Sequence, residues 1–276
     1  MFFLYNAPVI FKEIIPMNNL ILEPFNLVFW AFFAITALLA ALLRLMCKGK
    51  DRKQVRTILG IAYGIALVLY FVYKYMLSID PDYSAITVAA GLDAFSWWDE
   101  LPFQLCNINL ILILLATWKD SKALYSFVFF TSTLGAAMAL LMPSTGFSGY
   151  SVFLPRILGY YFTHFAVLME MPLLAATGLY KPKKQDIPKA VGMVLLILVI
   201  VTGIDFALIW SGLNPGANYF FSMGAELNPI LEILWGWIPI PCIYLLPTVV
   251  ILVPYMCLIT WIFGGFRKPK NKYAGF

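Results

Sequence analysis

The chain alternates long apolar runs with short polar segments, and this spacing predicts seven membrane-spanning helices. Each run is about 18 residues or longer, which at a rise of about 1.5 Å per residue crosses a hydrocarbon layer about 30 Å thick. The predicted spans are Phe25 to Cys47, Thr57 to Leu77, Leu101 to Trp118, Ala123 to Met142, Arg156 to Tyr180, Ala190 to Trp210 and Pro239 to Phe266. The pattern favours an all-α polytopic membrane protein, a seven-transmembrane-helix bundle.

The segments outside the spans have their own patterns. The N-terminal segment is apolar but interrupted by prolines, which favours a position on the membrane surface. Asn228-Pro229 places an N-cap residue before a first-turn proline and predicts a short interfacial helix over Ile230 to Trp237. The chain then divides into an N-terminal interfacial segment, a transmembrane domain and a basic cytoplasmic tail, at 1–24, 25–266 and 267–276.

Charge and composition agree with this architecture. All but three of the nineteen lysines and arginines fall on one side of the predicted bundle, the exceptions being Lys12, Lys74 and Arg156. This bias predicts the N-terminus outside and the C-terminus in the cytoplasm. The chain is 62% hydrophobic and 12% charged, far from a soluble domain. Its net charge of +5 therefore records orientation in a membrane, and no nucleic-acid partner is expected.

Three reactive side chains fall at one predicted depth on three different spans. Cys106, His164 and Asp205 each lie roughly 8 to 12 Å below the outer ends of their helices. His164 is the only histidine in the chain. Ionisable residues within spans are costly and are functional candidates by default. The sequence therefore predicts a site in the outer leaflet.

Nucleophilic acyl transfer is the chemistry that such a set supports. A thiol becomes a useful nucleophile when an imidazole accepts its proton, and the imidazole works best when a third group fixes its tautomer. Cys106, His164 and Asp205 are predicted to fill these three roles. Asparagine and glutamine donors can stabilise an oxyanion. The residues near the nucleophile or the histidine on helical spacing are Gln104, Asn107, Asn109, Tyr160 and Tyr161. Glu170 lies deeper and about 120° away from His164 on the same helix, and is left out of the reaction.

Each candidate also has a structural interpretation. Cys106 is of a residue type that is often simply buried, and His164 could hydrogen-bond between helices. Asp205 could pair with the backbone or with Lys74. Arg156 and Lys74 could anchor helices by snorkelling or hold a lipid phosphate. The four cysteines show neither metal-type nor disulfide-framework spacing, and no cofactor or metal is expected.

Three sequence motifs resemble those of the YwaF-like integral membrane proteins. They are Glu100-Leu101-Pro102-Phe103-Gln104-Leu105-Cys106, Thr163-His164 within a span, and Asn218-Tyr219 before the last helix. Their animal relatives are cysteine-dependent acyltransferases that move a fatty acyl chain from a phospholipid to a lysophospholipid. The resemblance implies that Cys106 is the acyl-accepting nucleophile, that His164 is its partner and that Asn218 and Tyr219 belong to the site. The bacterial branch of the family implies a bacterial cell membrane.

The chain departs from the family pattern in three places, one of which is Thr163-His164-Phe165, where members have Ser-His-Gly. Members often have histidine at the position of Gln104 and aspartate at that of Asn107, and the loss of this acid gives Asp205 more weight as the orienting group. The expected function is a membrane acyltransferase that passes an acyl chain between lipids through a cysteine thioester. Alternatives are a lipid hydrolase using the same pair, or a non-enzymatic transporter or lipid-binding protein. The seventh span has no lysine for a retinal Schiff base, and one histidine cannot provide paired haem ligation.

Overall fold

The computed structural model describes residues 20–80, 95–143, 146–226 and 228–265, and these residues are mostly helical. Six helical segments in the described ranges, counted through short breaks and 3-10 turns, are long and apolar enough to cross a membrane: Leu27–Cys47, Arg52–Ile79, Lys122–Leu141, Pro155–Thr177, Lys184–Ser211 and Ile243–Ile262. The helices are α1 (Leu27–Cys47), α2 (Arg52–Ile79), α3 (Leu105–Lys119), α4 (Lys122–Leu141), α5 (Pro155–Leu168), α6 (Glu170–Thr177), α7 (Ile187–Ser211), α8 (Pro229–Trp237) and α9 (Val249–Ile262). This confirms an all-α polytopic membrane protein. Three short 3-10 segments, Lys184–Asp186, Tyr219–Phe221 and Ile243–Thr248, complete the helical structure.

Helix α3 is shorter than its predicted span, which began at Leu101. The carbonyl of Leu101 accepts a hydrogen bond from the backbone of Phe103 at 2.9 Å, so the chain turns there. Gln104 has extended backbone angles and serves as the N-cap. The 15 residues that follow reach roughly 22 Å at the helical rise. Helix α3 therefore falls short of the length of the other six apolar segments.

The fifth predicted span is broken at Met169 into α5 and α6. The break follows from Pro172, which has no N–H to donate to the Leu168 carbonyl and whose ring crowds that carbonyl. The hydroxyl of Thr133 on α4 donates to this free carbonyl instead, at 3.4 Å. A neighbouring helix thus satisfies the group that the proline leaves unpaired.

Helices α2, α3, α4 and α5 pack against one another and form the centre of the molecule. The closest approach is at Gly159, where a Cβ atom would lie 2.1 Å from Cδ2 of Tyr73. Only a glycine permits α2 and α5 to come this close. Helix α1 packs on α2, α5 and α6, and α7 packs on α4 and α9.

Ion pairs join the loops at one end of the helices, which we call the basic end. Arg52 pairs with Asp120 at 2.7 Å, and Lys122 pairs with Asp186 at 3.0 Å. At the opposite end, a buried ion pair joins Lys74 to Glu100, and Asn214 Nδ2 donates to Asp99 at 2.7 Å. The start of α3, with Cys106, lies at this opposite end.

The predicted peripheral segments are only partly within the described ranges. Ile21–Leu22 (β1) pairs antiparallel with Tyr150–Ser151 (β2). The remainder of the predicted interfacial segment, 1–19, and the whole basic tail, 267–276, lie outside the described residues. The prediction of α8 is confirmed, because Asn228 accepts hydrogen bonds from the backbone of Ile230 and Leu231.

Candidate functional site

Cys106 lies in the first turn of α3, buried against a glycine of α4. Its side chain is 7% exposed. A Cβ atom on Gly135 would lie 3.6 Å from the Cys106 sulfur and 3.1 Å from Leu105. The missing side chain of Gly135 therefore provides the room that the thiol occupies.

Helix α5 brings His164 to the same level of α4. The hydroxyl of Tyr160 donates to the Ala139 carbonyl at 2.7 Å, which fixes the register between these antiparallel helices. His164 lies one turn along α5 from Tyr160, and Gly135 lies one turn back along α4 from Ala139. His164 and Cys106 thus share the level of Gly135, on helices that also pack directly on each other.

The hydrogen bond of the histidine ring assigns its tautomer. His164 Nδ1 lies 2.7 Å from the backbone carbonyl of Tyr160. A carbonyl can only accept, so Nδ1 carries the hydrogen in the neutral ring and Nε2 carries the lone pair. The backbone carbonyl of Tyr160 therefore orients the imidazole, a role that the sequence predicted for Asp205. Nε2 is the nitrogen able to accept a thiol proton.

Four side chains stack in a column that ends at His164. The guanidinium carbon of Arg156 lies 4.1 Å from the centre of the Phe147 ring. Phe147 stacks on Tyr160 with centroids 4.2 Å apart, and Tyr160 contacts the His164 ring at the same separation. Arg156, Tyr160 and His164 lie one turn apart on α5, so the loop residue Phe147 fills the space between the first two. This column restrains the imidazole, and Arg156 is buried within the protein.

Among the described residues, Asp205 makes no hydrogen bond to His164. Its two oxygens accept from the backbone N–H of Tyr219 at 3.1 Å and from the Ser222 hydroxyl at 2.6 Å. The side chain is fully buried. The prediction that Asp205 orients the histidine is therefore wrong: the carboxylate anchors the loop after α7.

The same loop includes two predicted substrate-binding residues, Asn218 and Tyr219, and contacts a third, Gln104. Gln104 Oε1 accepts from the backbone of Phe220 at 3.0 Å. Asn218 Oδ1 accepts from the backbone of Met223 at 2.7 Å, and the Tyr219 hydroxyl donates to the Trp98 carbonyl. Burial raises the pKa of the Tyr219 phenol, which keeps it a donor. We call residues 218–222 the roof loop, because these bonds hold it against the start of α3.

A polar cavity of about 150 Å³ opens beside the roof loop. It contains two carboxylate side chains and several amides, so water and polar groups can enter it. The lining residues are Asp99, Gln104, Asn214, Gly216, Asn218, Tyr219 and Glu226. The cavity reaches Gln104, which lies close to Cys106 in the chain.

The two predicted asparagine donors differ. Asn107 is half-buried, whereas Asn109 is fully buried. The Thr131 hydroxyl donates to Asn109 Oδ1 at 2.8 Å, and the amide nitrogen has no partner among the described residues. Asn109 lies on the same face of α3 as Cys106, so it presents an unused donor beside the thiol.

Glu170, which the sequence analysis left out of the reaction, is the first residue of α6. Its side chain is fully buried, and both carboxyl oxygens lack a partner among the described residues. The Thr133–Leu168 bond places it near the level of Thr131 and hence of Asn109.

Two other predicted residues have partners elsewhere: Tyr161 packs on another helix, and Lys74 forms an ion pair. Tyr161 is fully buried against α1, with its ring edge-to-face on Phe29 at 6.3 Å. Lys74 is paired with Glu100 and lies over the ring of Tyr73 at 4.9 Å. Phosphate binding by Lys74 or Arg156 remains a prediction. No group of three or more potential metal-ligating side chains occurs among the described residues.

Comparison with known proteins identifies the family. The model of the TMEM164 family, a membrane protein family, matches residues 21–260. No protein with a curated description matches the chain. No solved structure matches it either. The matched range includes Cys106, His164 and Asp205, and it covers most of the sequence. The chain belongs to the TMEM164 family.

Proposed function

We propose that the protein is a membrane acyltransferase that moves a fatty acyl chain between lipids through a thioester on Cys106. The observation that supports this proposal is that Cys106 lies beside Gly135 while the register of α5 on α4 puts His164 at the same level, with the lone pair of His164 on Nε2. In this proposal α3 crosses the membrane as a seventh span, the N-terminus is outside and the C-terminus is cytoplasmic. The site then lies in the outer leaflet.

The first half-reaction breaks an ester bond of a phospholipid. The Cys106 sulfur attacks the ester carbonyl carbon while its proton passes to His164 Nε2. The C–O bond then breaks, His164 returns the proton to the departing alkoxide, and a lysolipid leaves with the acyl chain held as a thioester. In the second half-reaction the hydroxyl of an acceptor lysolipid gives its proton to His164 and attacks the thioester, which restores the thiol.

The negative charge on the carbonyl oxygen needs a donor in the transition state. Asn109 Nδ2 is fully buried, lies on the Cys106 face of α3 and has no partner among the described residues. Its amide oxygen is already held by Thr131, so its orientation is fixed before substrate enters. A fixed donor in surroundings from which water is excluded stabilises an oxyanion strongly.

A covalent adduct tests the proposal most directly. The protein is purified from membranes, and intact-mass analysis is made before and after hydroxylamine, which cleaves thioesters. We expect an acyl mass that hydroxylamine removes, absent in Cys106→Ala and retained in the matched control Cys257→Ala. Cys257 is a partly buried cysteine of α9. Equal lipid remodelling by wild type and Cys106→Ala, with no thioester in either, would refute the proposal.

Hydrolysis by the same pair is the second candidate. The polar cavity that reaches Gln104 provides a place for water near the start of α3. Turnover in water enriched in oxygen-18 separates the two reactions, because hydrolysis labels the released fatty acid and transfer leaves the product ester unlabelled. A transporter or lipid-binding protein would show neither product.

A further inference from the structure

A second cavity of about 560 Å³ lies at the basic end, far from Cys106. It is an open groove between the first half of α2 and the last turns of α3. The lining residues are Lys53, Arg56, Thr57, Gly60, Ile61, Leu114, Leu115, Thr117 and Trp118. Thr117 and Cys106 are separated by roughly 16 Å along α3. The groove is therefore independent of the candidate acyl-transfer site.

The rim of the groove is positively charged. Arg56 donates to the carbonyls of Thr117 at 2.8 Å and Trp118 at 2.7 Å, which fixes the guanidinium at the rim. Arg56 pairs with Asp120 at 3.4 Å, and the same carboxylate pairs with Arg52 at 2.7 Å, so one acid serves two guanidinium groups. Lys53 is exposed and has no carboxylate partner among the described residues. The rim thus keeps positive charge that the protein does not neutralise.

Below the rim the groove is apolar. Its floor is formed by Gly60 and by Leu114 and Leu115, and Ile61 is 60% exposed. Gly60 keeps the space open, because a Cβ atom there would lie 3.3 Å from the hydroxyl of Thr117. Trp118 is 68% exposed at the boundary between the charged and apolar parts. Tryptophan at such a position is typical of the interface between hydrocarbon and headgroups.

We propose that this groove binds an anionic phospholipid from the membrane leaflet at the basic end. The phosphate lies between Lys53 and Arg56, and one acyl chain lies along Gly60, Ile61 and Leu114. The charge on the rim is complementary to the headgroup, and basic pockets between membrane helices bind anionic lipids in this way. A soluble anion would gain the charge contact but would leave the apolar floor unfilled.

Lipid-dependent thermal stability tests the proposal on the purified full chain. Wild-type protein in detergent is mixed with phosphatidylglycerol, with phosphatidylcholine or with inorganic phosphate. The midpoint of thermal unfolding is then measured at increasing concentrations of each. We expect phosphatidylglycerol to stabilise the protein saturably and the other two to give little shift. Equal shifts with both lipids, or a full shift with inorganic phosphate, would overturn the proposal.

Two variants act on the two halves of the groove, each with a matched control. Lys53→Gln should lower the affinity for phosphatidylglycerol about fivefold, the loss expected for one cation beside an anionic headgroup. Ile61→Trp should fill the apolar part and weaken binding without changing charge. Lys48→Gln, at the same end outside the groove, and Leu69→Trp, at a position 45% exposed on α2, should bind as wild type does. Equal losses in variants and controls, or none in any, would overturn the proposal.

Discussion

Replacing Asp205 separates an anchoring role from a catalytic one. The carboxylate accepts hydrogen bonds from Tyr219 N at 3.1 Å and Ser222 Oγ at 2.6 Å and is fully buried. Asp205→Ala leaves both donors without an acceptor. Hydrogen bonds to a charged group contribute about 1.5 to 3 kcal/mol each, so the expected loss is about 3 to 6 kcal/mol in the free energy of unfolding.

Release of backbone strain in the roof loop offsets part of this loss. Phe220 and Phe221 have φ values of 59° and 57°, in the left-handed region that non-glycine residues seldom adopt. Such conformations cost about 1 to 3 kcal/mol each and persist only where surrounding contacts hold them. Without Asp205 the loop is free to relax away from α3.

Asp205→Asn retains one acceptor oxygen, so we expect a smaller loss of about 1 to 2 kcal/mol.

Thermal unfolding and thioester formation, measured on the same preparations, distinguish the two roles. An anchor predicts lower stability in Asp205→Asn with thioester yield per folded molecule close to wild type. Ser222→Ala should lower stability in the same direction, and the double variant should lose less than the sum, because both changes remove one contact. Wild-type stability in Asp205→Asn, together with a loss of thioester as large as that expected for His164→Gln, would refute the anchoring role.

Three further predictions follow from single contacts. Glu170→Leu removes a buried carboxyl without partners among the described residues, so thermal unfolding should show a gain of about 1 to 3 kcal/mol; a loss would contradict this. Gly159→Ala should lose about 1 to 3 kcal/mol through overlap with the Tyr73 ring, and an added Tyr73→Leu change should recover part of it. Asp120→Asn removes the ion pair with Arg52 and should cost under about 1 kcal/mol. A hydrogen bond from Arg52 lowers the pKa of Asp120 below 3.8, so this cost should vanish as pH falls through that pKa, and a cost that persists there would exclude the ion pair as its source.

Sequence periodicity predicted most of the helical architecture because lipid imposes a minimum length on each apolar run. It failed where tertiary contacts set the ends of elements. Helix α3 starts at Leu105 because Gln104 bonds to the roof loop, a contact between residues far apart in the chain. The break at Met169 needed Pro172 together with the Thr133 hydroxyl, and only the proline was visible in the sequence.

The candidate site shows the same division between local and distant information. Depth along each helix could be counted from the sequence, and it placed Cys106 and His164 at one level, in agreement with the register through Gly135. Rotation about each helix axis could not be counted, because it depends on which neighbour each face meets. Asp205 had a suitable depth, but it faces the roof loop. Phe147 lies in a loop whose position no periodicity predicts, although it completes the column above His164.

The distribution of unpaired polar groups bears on why the site is built this way. The roof loop uses both oxygens of Asp205 and both ends of the Asn218 amide, so that region is satisfied by the protein itself. Asn109 Nδ2 and the carboxyl of Glu170 have no partner among the described residues. Each such group costs about 1 to 3 kcal/mol in the resting protein. In the proposed reaction the carbonyl oxygen of the lipid ester is the acceptor for Asn109 Nδ2, so substrate binding satisfies a donor that has no partner among the described residues of the resting protein.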